Sequence, residues 1–249
     1  MERIAIFAAL QWECRTVLRS LRRVSRVRLG EFTCWQGRAP RAEVWLVKTG
    51  VGVQRAAAAA AAVGDARQFA LFVSTGCAGG LAPELRAGDL AFTTAVIGDD
   101  GRDAVSTAAA PRARAQHAAS AAGLRSAQGP VLCSQSALGS AAKRAAAAGG
   151  SIAVEMEAAA IAARAASAPV PFLSVRAVLD GVEDDLTGPG TLVDPASGGI
   201  RPLALAAYLA AHPGAIAQLM TLQRLQRAAR ESLERFFRQW LAEPERGAE

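Results

Sequence analysis

Short apolar runs alternate with alanine-rich stretches along most of this chain, and glycine turns sit between them. RIAIFA at 3–8 reads as a buried strand, and a helical stretch follows at about 12–21. Residues 32–36 and 43–47 are strand-like. KTGVGVQRAAAAAAAV then passes from a strand end through Gly50 and Gly52 into a helix. The alternation continues with strands at 69–74, 90–97, 130–134, 152–154 and 170–178, and with helices at about 112–122, 140–148 and 156–165. Residues 99–110 and 187–199 read as loops, the second rich in Gly and Pro. Strands and helices in this order argue for a mostly parallel sheet covered by helices on both faces. The fold class expected is α/β, a single domain with a central mixed β-sheet flanked by helices on both faces. Alanine forms helix well but carries little apolar area, so the helices are expected to pack closely.

The domain is expected to span 1–241, with a helical C-terminal extension at about 201–241 and a frayed tail at 242–249. A chain of 249 residues can bury a sizeable core without disulfides or metals. In the extension, Leu219, Leu222, Leu225, Ala229, Leu233, Phe236 and Trp240 recur every three or four positions. Arg224, Arg227, Arg230, Arg235 and Arg238 occupy the other face. Such a helix either packs its stripe on the domain's own sheet or on a second subunit, or rests peripherally on an anionic membrane.

The formal charge of +6 raises nucleic acid as a partner. The arginines are spread over helices with acids among them, and one Tyr in the whole chain leaves no base-stacking platform. Nucleic acid is therefore not the expected partner. Cys14, Cys34, Cys77 and Cys133 form neither a metal knuckle nor a CxxC pair, so reduced thiols in the cytoplasm are expected. MERIAIFAALQWEC lacks a basic n-region and a cleavage site, so no signal peptide is expected.

In open α/β sheets, ligands bind beyond the carboxyl ends of the strands. Acidic groups fall at three such ends: Glu13 after the first strand, Glu155 and Glu157 at a helix start, and Asp180 after PFLSVRAVLD. A carboxylate in a first helical turn also serves simply as a partner of the helix dipole. His117 and His212 lie in ordinary helical contexts, so a Ser-His-Asp or Cys-His mechanism has little to build on. No His, Cys and acid cluster suggests a metal. TGVG before a helix lacks the Lys-Ser/Thr of a P-loop. Carboxylate chemistry is what remains.

Taken together, the motifs become specific. VEMEAAAIA at 154–162, followed by VPFLSVRAVLD ending at Asp180, resembles the active-site half of the methylthioadenosine/S-adenosylhomocysteine nucleosidases. These belong to the nucleoside phosphorylase and nucleosidase superfamily. TGCAGGLAPELRAGDL resembles that family's glycine turn, and KTGVGVQRAAAA its preceding strand-turn-helix. The resemblance covers about 1–186, in the right order. It implies cleavage of the N-ribosyl bond of a purine nucleoside, most directly hydrolysis of a 5′-substituted adenosine, without metal or organic cofactor. Asp180 would be the general acid that protonates N7 of the base, which calls for a carboxyl that holds its proton. Glu13 would position and activate water, helped by Arg176. Glu157 would hold the ribose hydroxyls, with Met156 against the sugar, and Glu155, Cys77, Ala78 and Gly79 would complete the substrate site. The transition state would resemble an oxocarbenium ion flanked by carboxylates. A homodimer or higher homo-oligomer is implied.

Hexameric purine nucleoside phosphorylases, which the chain also resembles, hold phosphate with an Arg and a Ser in the glycine turn. Ser74 and Cys77 stand at those places, which removes a bidentate phosphate contact and favours water. Ala137, in CSQSALGSAAKRA, stands where the nucleosidases stack an aromatic side chain on adenine, leaving that wall unassigned. AAKRA and the long C-terminal segment resemble hopanoid-associated phosphorylases, which would imply inorganic phosphate as co-substrate, adenosylhopane as substrate and an apolar exit on the 5′ side. A non-catalytic nucleoside-binding protein is the alternative from another class.

Overall fold

In the computed structural model the described residues are 1–40, 42–99, 104–184 and 215–242, the last segment with side chains from 219 onward. The expected loop at 187–199, the extension at 201–214, His212 and the tail from 243 lie outside them. The chain opens with β1 (Glu2–Ala8), α1 (Gln11–Leu18) and an antiparallel run of β2 (Arg22–Leu29), β3 (Phe32–Arg38) and β4 (Ala42–Lys48). Then come α2 (Val53–Ala66), β5 (Leu71–Gly80), β6 (Leu90–Gly98) and β7 (Ala104–Ser106). The remainder is α3 (Ala109–Ala121), β8 (Ser126–Cys133), α4 (Ser140–Ala148), β9 (Ala153–Glu155), α5 (Ala158–Ser167), β10 (Phe172–Asp180) and α6 (Ala215–Ala242). A central mixed sheet carries helices on both faces, in the fold class expected. The alternation alone argues for mostly parallel pairing, but the β2–β3–β4 run and the β10–β6, β6–β7 and β5–β9 pairs are antiparallel.

Part of the sheet closes on itself. β5 pairs in parallel with β1 along one edge and with β10 along the other. β10 continues to β6, β6 to β8 and β8 to β9. β9 returns to β5, pairing Val154 with Gly79 and Ala153 with Gly80. β5 can serve both β1 and β9 on one edge because β1 ends opposite Thr75, before β9 begins opposite Gly79. Residues 76–78 of β5 therefore face a gap in the sheet, and a gap between strand ends is where a ligand finds unpaired backbone.

Small side chains bring the helices down onto the sheet. On one face Ala56, Ala59, Ala60 and Val63 of α2 meet Ala158, Ile161, Ala162 and Ala165 of α5, over Phe7, Phe72 and Phe172. Each set recurs at three or four residues, the period of one helical face. The opposite face is covered by α1, α3 and α6. There Ala229, Leu233, Phe236, Phe237 and Leu241 are buried, with Phe236 edge-on to Phe92 of β6 at 5.9 Å. This half of the C-terminal stripe thus packs on the domain's own sheet, and burial of each large side chain contributes roughly 1.5–3 kcal/mol.

Three local differences from the sequence reading have physical causes. β2 is an arginine-rich edge strand with most residues exposed, so it lacks the buried alternation that marks a strand; charged edges suit an unpaired border. The supposed loop at 99–110 contains β7 and the first two residues of α3. TGCAGG, read as a turn after a strand ending at 74, is strand as far as Gly80. Its glycines meet close neighbours on the site side, not a reversal of the chain.

Candidate active site

A cavity of about 260 Å³ opens at the gap beside β5. It lies beyond the carboxyl ends of β1, β5, β9 and β10, which are brought together although 172 positions separate Ala8 from Asp180 in the sequence. Glu13, Cys77, Ala78, Gly79, Glu155, Met156, Glu157 and Asp180 all line it. Arg176 lies beneath, 1% exposed. His117 is exposed on α3 and does not line the cavity.

Glu13 sits in the first turn of α1 and is buried. Its Oε2 accepts the N–H groups of Ala9 at 3.0 Å and Leu10 at 2.8 Å, and its Oε1 accepts that of Cys77 at 2.9 Å. Cys77 is one of the β5 residues in the sheet gap, so the carboxylate completes the backbone pairing that β1 no longer supplies. Burial pushes the Glu13 carboxyl up, opposed by the hydrogen bonds from Leu10 and Cys77 and by Arg176. Gly76 lies directly against it at φ +149°. A Cβ there would stand 2.7 Å from Glu13 Oε1 and 2.9 Å from Arg176 Nη1, closer than real Cβ contacts allow. Burial and the neighbouring Glu13 hold the Cys77 thiol well above its ordinary value, so it stays neutral.

The VEME stretch places two carboxylates with different tasks. Glu155 turns inward, where its Oε2 accepts the N–H groups of Glu157 at 2.9 Å and Ala158 at 2.8 Å at the start of α5 and also pairs with Arg176. Glu157 turns toward the cavity rim, and its Oε1 accepts the N–H of Gly52 at 2.9 Å. Gly52, at φ +99°, is the residue preceding α2, so the TGVG turn presents its N–H to a carboxylate of this chain. Burial, then the charge of Glu155, pushes the Glu157 carboxyl up to about 7, despite Arg176 and the Gly52 N–H. Near neutral pH it can therefore both donate and accept hydrogen bonds, as a diol partner must.

Arg176 is committed before any ligand arrives. Its Nη2 donates to Ser74 Oγ at 2.6 Å and to Glu155, and Nη1 lies 3.8 Å from Glu157 Oε2. Ser74 and Cys77, the two positions compared with the phosphate-holding residues, are thus occupied with Arg176 and Glu13.

One charged residue at the site was not foreseen from the sequence. Lys143 of α4 is 3% exposed, and its ammonium pairs with Asp180 and donates to the carbonyl oxygens of Gly181 at 3.0 Å and Asp184 at 2.9 Å. The sequence reading expects an Asp180 that holds its proton alone; here its carboxyl group meets the Lys143 ammonium. A signal was available: of 28 lysines and arginines only Lys48 and Lys143 are lysines. Leu222 of α6, more than forty residues beyond Asp180, also lines the cavity, as do Ser136, Ala137 and Leu138. Ala137 is therefore at the site, but without an aromatic ring. Among the described residues no group of three or more His, Cys, Asp and Glu side chains is placed to hold a metal ion, and no helix is long and apolar enough to cross a membrane.

The fold has counterparts among solved structures. The 5′-methylthioadenosine/S-adenosylhomocysteine nucleosidase of Neisseria meningitidis, solved with methylthio-immucillin-A, is similar over 97% of this chain and 99% of its own, at 20% identity and a TM-score of 0.76. The corresponding nucleosidase of Colwellia psychrerythraea, solved with adenine, is similar over 96% and 94%, at 21% identity and a TM-score of 0.75. Futalosine hydrolase of Helicobacter pylori is similar over 96% and 97%, at 16% identity and a TM-score of 0.73. A search of curated proteins by sequence finds no match. Residues 3–197 match the family described as the phosphorylase superfamily, and on that match the chain belongs to the phosphorylase superfamily.

Proposed function

We propose that this chain hydrolyses the N-ribosyl bond of a 5′-substituted adenosine, with water rather than phosphate as nucleophile. The observation that carries the choice of water is Glu13. Its carboxylate already accepts the N–H groups of Ala9, Leu10 and Cys77, which are the donors an anion would need. A phosphate placed there would meet a negative charge instead of free donors, and Arg176 is neutralised by Glu155 and Glu157. Water suffers no such repulsion, and Glu13 can take its proton.

In this reading the purine lies between Asp180 and the walls given by Ala78, Gly79, Val154 and Ala137, with N7 toward Asp180. Glu157 holds the ribose hydroxyls and Met156 packs on the sugar. As the C1′–N9 bond breaks, its electron pair passes to the base and Asp180 delivers a proton to N7. The positive charge growing on the sugar is stabilised by the carboxylates of Glu13 and Glu157. Glu155 and Arg176 act by positioning Glu157 and balancing its charge. No metal or organic cofactor takes part. The reading includes a homodimer or higher homo-oligomer in the cytoplasm.

A second reading concerns the 5′ group. Leu10, Val51, Leu179 and Leu222 line the cavity with apolar side chains, which favours an apolar 5′ substituent, as a lipid-linked nucleoside such as adenosylhopane carries. Product analysis separates these readings. Methylthioadenosine, adenosine and inosine are each incubated with and without phosphate. Free adenine from methylthioadenosine without phosphate, reduced at least 10³-fold in Asp180→Asn, is expected. Release only with phosphate, as ribose 1-phosphate, refutes hydrolysis. No release from any of them refutes the small-nucleoside reading and leaves the lipid-linked substrate.

A further inference from the structure

We propose that Lys143 is the source of the proton that the departing base receives, passed through Asp180, so that the acid of this site is an ammonium–carboxylate pair instead of a lone carboxyl group. The inference rests on the nucleosidase reading above and adds to it a positioning residue on α4 that takes part in proton supply.

Several observations converge on Lys143. The side chain crosses the cavity wall from α4, and a Cβ on Gly79 would stand only 3.3 Å from its Cε, so the absence of a side chain on β5 at this point makes its path. Each of the three N–H bonds of an ammonium has an oxygen acceptor: Asp180 Oδ2, Gly181 O and Asp184 O. The groups around it are otherwise engaged. Glu183 pairs with Arg144 at 2.8 Å, the Asp184 carboxylate accepts the Gly181 N–H at 2.8 Å, and Glu155 on β9 is turned to Arg176, itself on β10. Glu13, Glu157 and Cys77 face the cavity from α1, the start of α5 and β5, and are held by backbone N–H groups or by Glu13. Asp180 is the charged side chain that meets Lys143.

Residue choice adds a chemical reason. The chain uses arginine almost everywhere a cation is needed, yet a lysine is buried here. A guanidinium would pair with Asp180 at least as well, but it does not give up its proton in proteins, whereas a buried ammonium does. A carboxylate paired to an ammonium also keeps a proton within reach at pH values where a lone aspartic acid, ordinarily titrating near pH ~4, would have lost it.

The step balances. Nζ passes a proton to the Asp180 carboxylate, which gives that proton to N7 as the C1′–N9 bond breaks and its electron pair goes to the base. Lys143 is left as a neutral amine and Asp180 as a carboxylate. Water adds its hydroxyl to C1′ and its other proton to Glu13; when the products leave, Glu13 releases that proton and Lys143 takes one up through solvent.

The test uses adenine release from methylthioadenosine, with pH profiles of kcat and KM for the unmodified protein, Lys143→Met and Lys143→Arg. In Lys143→Met the proton must rest on Asp180 alone. Its kcat/KM should fall at least 10²-fold at pH 8 but less than tenfold at pH 5, with the alkaline limb moved down by at least one pH unit. Lys143→Arg should keep KM within a few-fold and lose at least 10² in kcat. A loss in Lys143→Met by the same factor at every pH, or full kcat in Lys143→Arg, overturns proton supply. If Lys143→Met does not fold, Lys143→Arg decides alone. A measurement without substrate follows the pair itself. With two lysines in the chain, ¹³Cε-labelled lysine gives two signals, and the Lys143 signal should move in Asp180→Asn while that of Lys48 stays in place. An unmoved Lys143 signal overturns the pairing. An unmodified protein that cleaves no nucleoside overturns the nucleosidase reading and the proton step together, and is thereby distinguished from failure of the step alone.

Discussion

Glu157→Gln should make the protein more stable at pH 8 while making it a poorer catalyst. The carboxyl is 7% exposed, lies near Glu155, and titrates at about 7 instead of its ordinary 4.5. Because the folded value is raised, the folded chain keeps this proton between pH 4.5 and 7, where the unfolded chain has lost it. The group's favourable contribution is therefore complete below pH 4.5 and is lost as pH rises to about 7. At 1.36 kcal/mol per pH unit, the loss amounts to about 3 kcal/mol. Glutamine has the same shape, can still accept the Gly52 N–H, and never ionises. The variant should match the parent near pH 4 and exceed it by about 3 kcal/mol at pH 8, which for a chain of this length is on the order of 6–12 °C in Tm. Thermal unfolding at pH 4, 6 and 8, followed by circular dichroism, reads the difference directly. An equal or lower Tm for Glu157→Gln at pH 8 would refute the reasoning, because it would mean the ionised carboxylate is not penalised by burial. Cleavage of methylthioadenosine by the same variant should fall at least 10²-fold, since the diol loses a charged partner.

Two further perturbations probe the frame around the site. Gly76→Ala forces a Cβ to 2.7 Å from Glu13 Oε1 at φ +149°, so it should cost about 1–3 kcal/mol of stability and at least tenfold in kcat, read by urea unfolding and nucleoside cleavage. Unchanged kcat would show that Glu13 does not need its present place. Phe236→Ala removes a ring buried against Phe92 and should destabilise by about 3–5 kcal/mol in the same unfolding assay. A loss under 1 kcal/mol would mean that α6 is not part of the folded core.

The site was partly legible because much of it is written locally. VEME puts Glu155 and Glu157 two residues apart at a helix start, and Glu13 and Asp180 each follow an apolar strand. The position of a carboxylate just past a strand end can be read without knowing the fold. Which way each carboxylate turns could not be read. Glu155 and Glu157 are near neighbours in the same tetrapeptide, yet one closes on Arg176 and the α5 N-terminus while the other reaches Gly52. Lys143 stands in the AAKRA stretch that resembles the hopanoid-associated phosphorylases, but nothing in that stretch records that its ammonium turns inward to Asp180.

By itself the sequence determined most of the elements and the layering. Period-two and period-3.6 apolar patterns record which face of each segment is buried, and these patterns are properties of neighbouring residues. It also determined that carboxylates, not histidines, stand at the strand ends. Tertiary structure alone decided the pairings across long separations: β9 with β5, Glu13 with Cys77, Lys143 with Asp180, and Leu222 with the cavity. The exposed strand β2 likewise became visible only there, because an edge held by backbone hydrogen bonds needs no apolar face. The physical reason is the same in each case. Burial of a face leaves a periodic trace in the chain, whereas the choice of partner depends on where distant strands end in space, and that leaves none.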